Sequence, residues 1–366
     1  MSDKKPLILL SAGGTGGHVF PACALARSLL DRGFNVALAT DQRGLKMTHD
    51  FPKEVEIFMV PSGHLGGGLK GKIKGASQLL LGMQKGMALV ARLKPDVVVG
   101  FGGYPSVPAV LAAQILGIPT MLHEQNAILG KANALLARKA KIIALSWPES
   151  KMDAQLKGRN VLHVTGNPVR EDIRALVGKE FPPCDDTVPL RLLVMGGSLG
   201  ASVFSTVLPQ AFSLMTSAQR KQFVIMQQCR EADRLEAAAA YAKNDMHVEL
   251  KTFIYDVPAQ IEAAHLFIGR SGATTVTEMA VAGRAGLYVP YPHHKDQQQK
   301  YNAQQMVDVG GGWLMAQNEF TAQAVHDFLV GLLSDRSQLA VAGGNARALA
   351  HPDSASACAD LVAGLL

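Results

Sequence analysis

Two stretches of this chain, "LILLSAGGTGGH" at residues 7–18 and "RLLVMGGSLGA" at residues 191–201, follow one grammar. Each is an aliphatic run, a pair of glycines, a small hydroxyl residue, a further glycine and then a segment of helical length. Glycines between a strand and a helix let a ligand reach the unpaired N–H groups and the positive dipole end of that helix. Phosphate is the natural guest. Around each stretch, short aliphatic or β-branched runs alternate with longer helical ones: "NVALAT", "VEIFMV", "DVVVGF", "PTMLHE" and "KIIALS" after the first, "QFVIMQ", "HVELKTF", "LFIG" and "AGLYVPYP" after the second. That alternation is the βαβ rhythm of a parallel, doubly wound sheet. It breaks at "HVTGNPVRED" and the polar, proline-bearing "KEFPPCDDTVP". The expectation is an α/β chain with two Rossmann-like domains facing across a cleft, residues 1–165 and 166–349, and a C-terminal helix, 350–366, packing back on the first. Ligands in such sheets bind at the carboxyl ends of the strands.

Hydrophobic residues make up 48% of the 366 and charged residues 18%, which excludes a disordered chain. The 36 Lys and Arg against 30 Asp and Glu give a formal charge of +6, which favours an acidic partner. Nucleic acid is a poor candidate, because the basic residues are not interleaved with stacking aromatics. Cys23, Cys184, Cys229 and Cys358 lie far apart without a C-x-x-C pair, so neither a zinc site nor a disulfide framework is indicated and a reducing compartment fits. The opening apolar run passes straight into the glycine loop and reads as a first strand, not a signal peptide. Val97 to Leu122 is free of charge, but Gly100, Gly102, Gly103, Pro105 and Pro108 break it into strand, loop and helix, so no transmembrane span is expected.

Three patterns compete for the glycine loops. The dinucleotide pattern G-x-G-x-x-G starts at Gly14 and Gly16 but meets Val19 in place of its last glycine, although Asp41 could serve as the ribose-binding acid of an oxidoreductase. The Walker pattern from Gly66 to Lys72 fails at Ile73, where a magnesium-binding Ser or Thr is needed. "GGSLG" satisfies G-x-S-x-G, so an α/β hydrolase with Ser198 as nucleophile, Asp256 or Asp296, and His265, His293 or His294 is the alternative enzyme. An elbow leaves the first loop and "GRSGATTVTE" unexplained. In that last stretch a helix starts near Gly272 and places Glu278 about two turns in, where its carboxylate can accept from a ribose diol.

"GGTGGHVFPA", "GFGGYPSVP", "HEQNAILGKAN", "GNPVR", "GGSLGA", "RSGATTVTE" and "HKDQQQKYNA" occur in the order found in the MurG family, the UDP-N-acetylglucosamine transferases of peptidoglycan synthesis, and the chain resembles that family over nearly its whole length. The resemblance implies a GT-B fold and transfer of N-acetylglucosamine from UDP to the 4-hydroxyl of the muramoyl-pentapeptide of lipid I, forming lipid II with inversion. It implies no cofactor. Carried over by position, Thr15, Gly16 and Gly17 resemble the first-domain loop at the reaction site, and Asn126 the sugar-binding asparagine. Arg170 and Ser198 match diphosphate and nucleotide contacts, and Ile254 the residue whose backbone reads uracil. Ala273, Thr274, Thr275, Val276, Thr277 and Glu278 match the nucleotide-binding helix start. Gln298 and Gln299 match the donor-sugar amides; "PYPHHKD" is one residue longer than the family pattern, which leaves open which of the two touches the sugar.

Inverting transfer needs a base for the acceptor hydroxyl and a positive environment for the departing diphosphate. The chain has no Asp-x-Asp pair, so no metal is called for; the helix start after Arg270 and the hydroxyls of Ser271, Thr274 and Ser198 are expected to face the diphosphate. His18, an imidazole on a glycine loop, is the first choice for the base, with phosphate binding or loop orientation as the competing role. His123 and Glu124 read as core and supporting residues. An undecaprenyl acceptor stays in the bilayer, and the stretch from Ser62 to Pro95 mixes Lys70, Lys72, Lys74, Lys85 and Arg92 with Leu79, Leu80, Leu81, Met83 and Met87. That mixture suits an anionic membrane surface, with Met87 to Leu93 as core. The expected location is peripheral, on the cytoplasmic face of the bacterial inner membrane, with partners among cell-wall synthesis and division proteins.

Overall fold

The computed structural model describes residues 5–63, 69–148, 161–197 and 200–366. The chain divides into two compact units, Met1–Arg170 with His351–Leu366, and Glu171–Ala350. The first holds strands β1 (Leu7–Ser11), β2 (Asn35–Thr40), β3 (Glu56–Met59), β4 (Val97–Gly100), β5 (Thr120–Glu124), β6 (Ile142–Leu145) and β7 (Val161–Val164). They form one parallel sheet in the order β3-β2-β1-β4-β5-β6-β7. The second holds β8 (Leu190–Met195), β9 (Phe223–Gln228), β10 (Val248–Lys251), β11 (Leu266–Gly269), β12 (Ala285–Tyr288) and β13 (Gly312–Leu314), parallel in the order β10-β9-β8-β11-β12-β13. Every aliphatic run read as a strand is one. β7 and β13 are additions: β13 is three residues long and follows glycines, too short for a periodic signal.

Both faces of the first sheet are covered, which is why its strands are continuously apolar rather than alternating. Ile8 and Leu10 pack beneath the helix Gly16–Asp31, whereas Leu9 points to the opposite face with Val90, Val110 and Leu122. The C-terminal helix Ser354–Ala363 adds Cys358, Ala359 and Val362 to the first of these clusters. Arg32 fastens it, donating to Asp360 Oδ1 at 2.6 Å and to Ser356 Oγ at 2.8 Å.

The long helix Leu69–Leu93 covers the other face. Gly82 and Gly86 are what let it approach: a Cβ on Gly82 would fall 2.2 Å from the Pro61 carbonyl oxygen, and one on Gly86 2.8 Å from the backbone of Pro108. Leu89 and Val90 are buried, with Met87 and Leu93 packed beside them, so the C-terminal part of this helix is core as expected. Leu80 and Leu81 point outward, 65% and 44% exposed. The side chains of Lys70, Lys72, Lys74 and Leu79 lie outside the described residues. Among the described residues no helix is long and apolar enough to cross a membrane.

Each sheet has one place where strand order reverses: between β1 and β4 in the first unit, and between β8 and β11 in the second. Chains leaving neighbouring strands there turn in opposite directions and open a crevice at the strands' carboxyl ends. The glycine loops sit at these places.

Candidate active site

At the first reversal point, the loop after β1 runs into the helix Gly16–Asp31 with Thr15 at its N-cap position and no side chain capping it. Much of the glycine demand is internal. Gly14 needs a positive φ of 81°, and a Cβ on Gly13 would lie 2.7 Å from Asp41 Oδ1 and 2.8 Å from Pro105 Cβ. Asp41 Oδ1 accepts from the backbone N–H of Gly14 at 2.9 Å and of Gly44 at 2.8 Å, while Ser62 Oγ donates to Oδ2 at 3.2 Å. This buried carboxylate ties the loops after β1 and β2 together, and each charge-assisted bond of this kind is worth about 1.5–3 kcal/mol. Bare backbone at Gly16 admits the Phe20 ring, and the Arg170 guanidinium lies 5.3 Å above that ring's centroid. Arg170 therefore stands by the first glycine loop.

His18 occupies the first turn of this helix, half-buried. Its Nδ1 lies 3.0 Å from Gln125 Oε1. Gln125 Nε2 in turn lies 3.1 Å from His123 Nδ1 and donates to the His123 carbonyl oxygen at 3.1 Å, and His123 Nε2 is 3.0 Å from the Gly166 carbonyl oxygen. Full burial, helped by the nearby His18 ring and opposed by the Gly166 carbonyl, pushes His123 down to about 4, so it is neutral at physiological pH. The loop after β4 closes on His18 from another side. Gly103 has a φ of 70°, and a Cβ there would press 3.1 Å from His18 Cδ2.

Next along the motif, Glu124 is buried and accepts four hydrogen bonds: at Oε1 from Asn126 N (3.0 Å) and Nδ2 (3.1 Å), and at Oε2 from Gly130 N (2.9 Å) and Asn133 Nδ2 (2.9 Å). Asn126 thus spends an amide hydrogen on Glu124. His123 and Glu124 are thus supporting residues, as expected. Gln125 went unread in the sequence. The available signal was spacing, since residues two apart on an extended segment share a face and His123 with Gln125 is such a pair.

In the second unit the loop after β8 keeps Gly197 and Gly200 at φ 81° and 68°, and a Cβ on Gly196 would come 2.4 Å from Ala201 N. Ser198 lies outside the described residues. After β11, Arg270 is buried and points away from the helix start, donating to the carbonyl oxygens of Val289 and Pro290 at 3.0 Å each and to Gln317 Oε1 at 2.6 Å. Burial lowers the pKa of its guanidinium. Ser271 does not fit its expected place among the diphosphate hydroxyls: it is fully buried and donates to the Gln299 carbonyl oxygen at 2.8 Å. Gly272 is the N-cap of the helix Ala273–Ala282, and no side chain caps it. Thr274 Oγ1 is buried there with no hydrogen-bond partner. Ala273 is buried, Thr275 half-buried, Val276 fully buried, and Thr277 returns its hydroxyl to the Ala273 carbonyl at 2.9 Å. Glu278 is buried further along the same helix.

Ile254 is buried between Phe253 and Tyr255, 59% and 88% exposed, whose rings meet at 4.7 Å. Gln298 and Gln299 begin the helix Gln298–Asp308. Gln298 Nε2 donates to Asp296 Oδ2 at 2.9 Å, whereas Gln299 Oε1 accepts from Tyr291 N at 2.9 Å. Gln297 before them holds a left-handed φ of 52°, a costly backbone for a residue with a side chain.

Two alternatives lose named groups here. Asp41 spends its carboxylate on loop amides, which removes the ribose ligand of a dinucleotide enzyme. His265 accepts from Arg191 N at 2.9 Å through Nδ1 and donates to the Pro183 carbonyl at 2.9 Å through Nε2, leaving no nitrogen for a hydrolase triad. His293 and His294 meet the Tyr291 ring edge-on, centroids 5.3 and 5.0 Å apart, and Asp256 accepts from Gln260.

Comparison with known proteins decides between the readings. Residues 8–145 match the N-terminal domain of glycosyltransferase family 28, and residues 191–357 its C-terminal domain. Two relatives named UDP-N-acetylglucosamine–N-acetylmuramyl-(pentapeptide) pyrophosphoryl-undecaprenol N-acetylglucosamine transferase are similar over almost their full lengths. That of Rhodospirillum centenum is 46% identical, with 98% of this chain and 94% of the relative covered. That of Paramagnetospirillum magneticum is 43% identical, with 100% and 98% covered. The chain belongs to the MurG family of glycosyltransferases. The crystal structure of Acinetobacter baumannii MurG superposes with a TM-score of 0.77 at 30% identity, covering 98% of this chain and 99% of that one. With the two parallel sheets described above, the fold is GT-B.

Proposed function

We propose that the chain transfers N-acetylglucosamine from UDP-N-acetylglucosamine to the 4-hydroxyl of the muramoyl-pentapeptide of lipid I, giving lipid II and UDP with inversion. The observation that carries this reading is complementary chemistry at the two reversal points. The first holds an imidazole in the helix turn that follows a glycine loop, and the second an uncapped helix start with a buried, unpartnered hydroxyl. His18 takes the proton of the acceptor hydroxyl as that oxygen forms its bond to the anomeric carbon. The bond from that carbon to the phosphate oxygen breaks, and UDP leaves with the electron pair. The N–H groups at Ala273, Thr274 and Thr275 and the Thr274 hydroxyl stabilise the departing charge.

Glu278 binds the ribose diol, the backbone at Ile254 reads uracil, and Arg170 and Ser198 contact the diphosphate and nucleotide. Asn126, Gln298 and Gln299 meet sugar hydroxyls, and Thr15, Gly16 and Gly17 border the acceptor. Changing Glu278→Ala raises the KM for UDP-N-acetylglucosamine about tenfold with kcat within about threefold, as expected for binding shared by ground and transition states. An unchanged KM in steady-state assays removes the ribose assignment.

The acceptor's lipid tail brings the enzyme to the membrane. Leu80 and Leu81, outward on the helix that carries Lys85 and Arg92, are the contact, with Lys70, Lys72 and Lys74 adding attraction to anionic headgroups. The enzyme sits peripherally at the cytoplasmic face, beside wall-synthesis and division proteins. Co-sedimentation with anionic vesicles drops severalfold on Leu80→Glu with Leu81→Glu, and unaltered binding sinks this contact.

A further inference from the structure

We propose that Gln125 and His123 are positioning residues that hold the His18 ring in its Nδ1–H form, so that Nε2 carries the lone pair. The inference rests on the reading of His18 as the base. Its logic comes from two backbone carbonyls that meet the chain of bonds, one at its end and one at its middle, and that can only accept. The Gly166 carbonyl, 3.0 Å from His123 Nε2, requires a proton on that nitrogen. A neutral His123 then has its lone pair on Nδ1, which must accept from Gln125 Nε2 at 3.1 Å.

The second carbonyl fixes the amide independently. Gln125 Nε2 also lies 3.1 Å from the His123 carbonyl oxygen, so that end of the amide is the NH2 group, whatever the tautomer of either ring. Gln125 Oε1 is thereby turned to His18 Nδ1 at 3.0 Å, and two lone pairs cannot face each other at that distance, so Nδ1 bears the proton. The Trp147 indole donates to the Gln125 carbonyl oxygen at 3.0 Å and holds the residue's backbone in place. The opposite edge of the His18 ring, Cδ2 and Nε2, faces Gly103, where a Cβ would lie 3.1 and 3.2 Å away. The missing side chain keeps the lone-pair edge uncovered. Which ring nitrogen of a histidine is protonated is commonly set by the bond the other one makes. Here the setting element is a neutral amide backed by a second, neutral imidazole, so no carboxylate is needed behind the base.

The tautomer of His18 is measured on the intact, 15N-labelled enzyme by two-bond proton–nitrogen correlation at neutral pH, with His18→Gln identifying the signal. The expected result is a protonated Nδ1 and an unprotonated Nε2, and in Gln125→Met a loss of that preference. Turnover in the same variant falls roughly tenfold while the KM for UDP-N-acetylglucosamine stays within about twofold. An Nε2–H ring in the unaltered enzyme overturns the inference, as does an Nδ1–H ring that persists in Gln125→Met. If that variant fails to fold, the spectrum of the unaltered enzyme decides. Failure of the base reading has a different signature: His18→Ala then keeps its turnover, whichever tautomer the ring shows.

Discussion

The loop after β1 and the loop after β11 share a plan, glycines ahead of an uncapped helix start at a strand-order reversal, yet their surroundings differ. The first is braced by a buried carboxylate and abutted by Pro105, and its helix carries His18 in a chain of hydrogen bonds running through two further side chains. The second has its neighbouring cation drawn off to carbonyls and its serine tied to the next helix, leaving backbone N–H groups and one threonine hydroxyl. One plan therefore serves two chemistries. A proton acceptor needs a fixed ring orientation, and that takes a supporting network. Stabilising a departing diphosphate needs only donors aimed at one place, which a helix start supplies without side chains.

The sharpest way to break this contrast is to remove the ring. His18→Ala is expected to lower kcat by about 10²–10⁴ with little change in donor KM. Near-full turnover at saturating lipid I analogue would make the first loop a binding loop like the second.

A second test reads the buried network through stability. The His123 imidazole titrates near 6.5 in the unfolded chain and about 4 in the folded one. Below the unfolded value the unfolded state binds more protons, so stability falls as pH drops from about 6.5 and levels off below about 4. The full loss is about 3 kcal/mol. Burial also lowers His265 and His351, which contribute with the same sign. The measurement is therefore differential: urea midpoints across this window should show a shallower slope in His123→Asn than in the parent. Equal slopes would mean that the ring is not held neutral by the fold.

The smallest expected effect belongs to the second loop. Thr274→Val replaces a buried, unpartnered hydroxyl with a methyl, so stability should hold or rise by up to about 1 kcal/mol while donor KM rises a few-fold. A KM that does not move takes Thr274 out of the diphosphate site and leaves the backbone N–H groups as the donors of that helix start.

Much of this is legible in the residue order. Aliphatic runs such as "LILLS" and "DVVVGF" specify strands because a sheet covered on both faces accepts nothing else, and the glycines between them mark where each chain turns. What misled was chemistry inferred from residue type alone. By type Asp41 could serve a ribose in the rival dinucleotide reading and Ser271 a phosphate, yet both face their own protein. Gln125 drew no notice, because an amide after a strand has many uses and its partners lie as far away in sequence as His18.

The order of residues by itself determined the two parallel sheets, the loops that end their strands and the family, since all three rest on local periodicity and on motifs in register. Only the tertiary structure decided which polar groups are spent internally and which way each is turned. Hydrogen bonds pair groups that are neighbours in space, and the Gly166 carbonyl that orients His123 comes from a different strand's end.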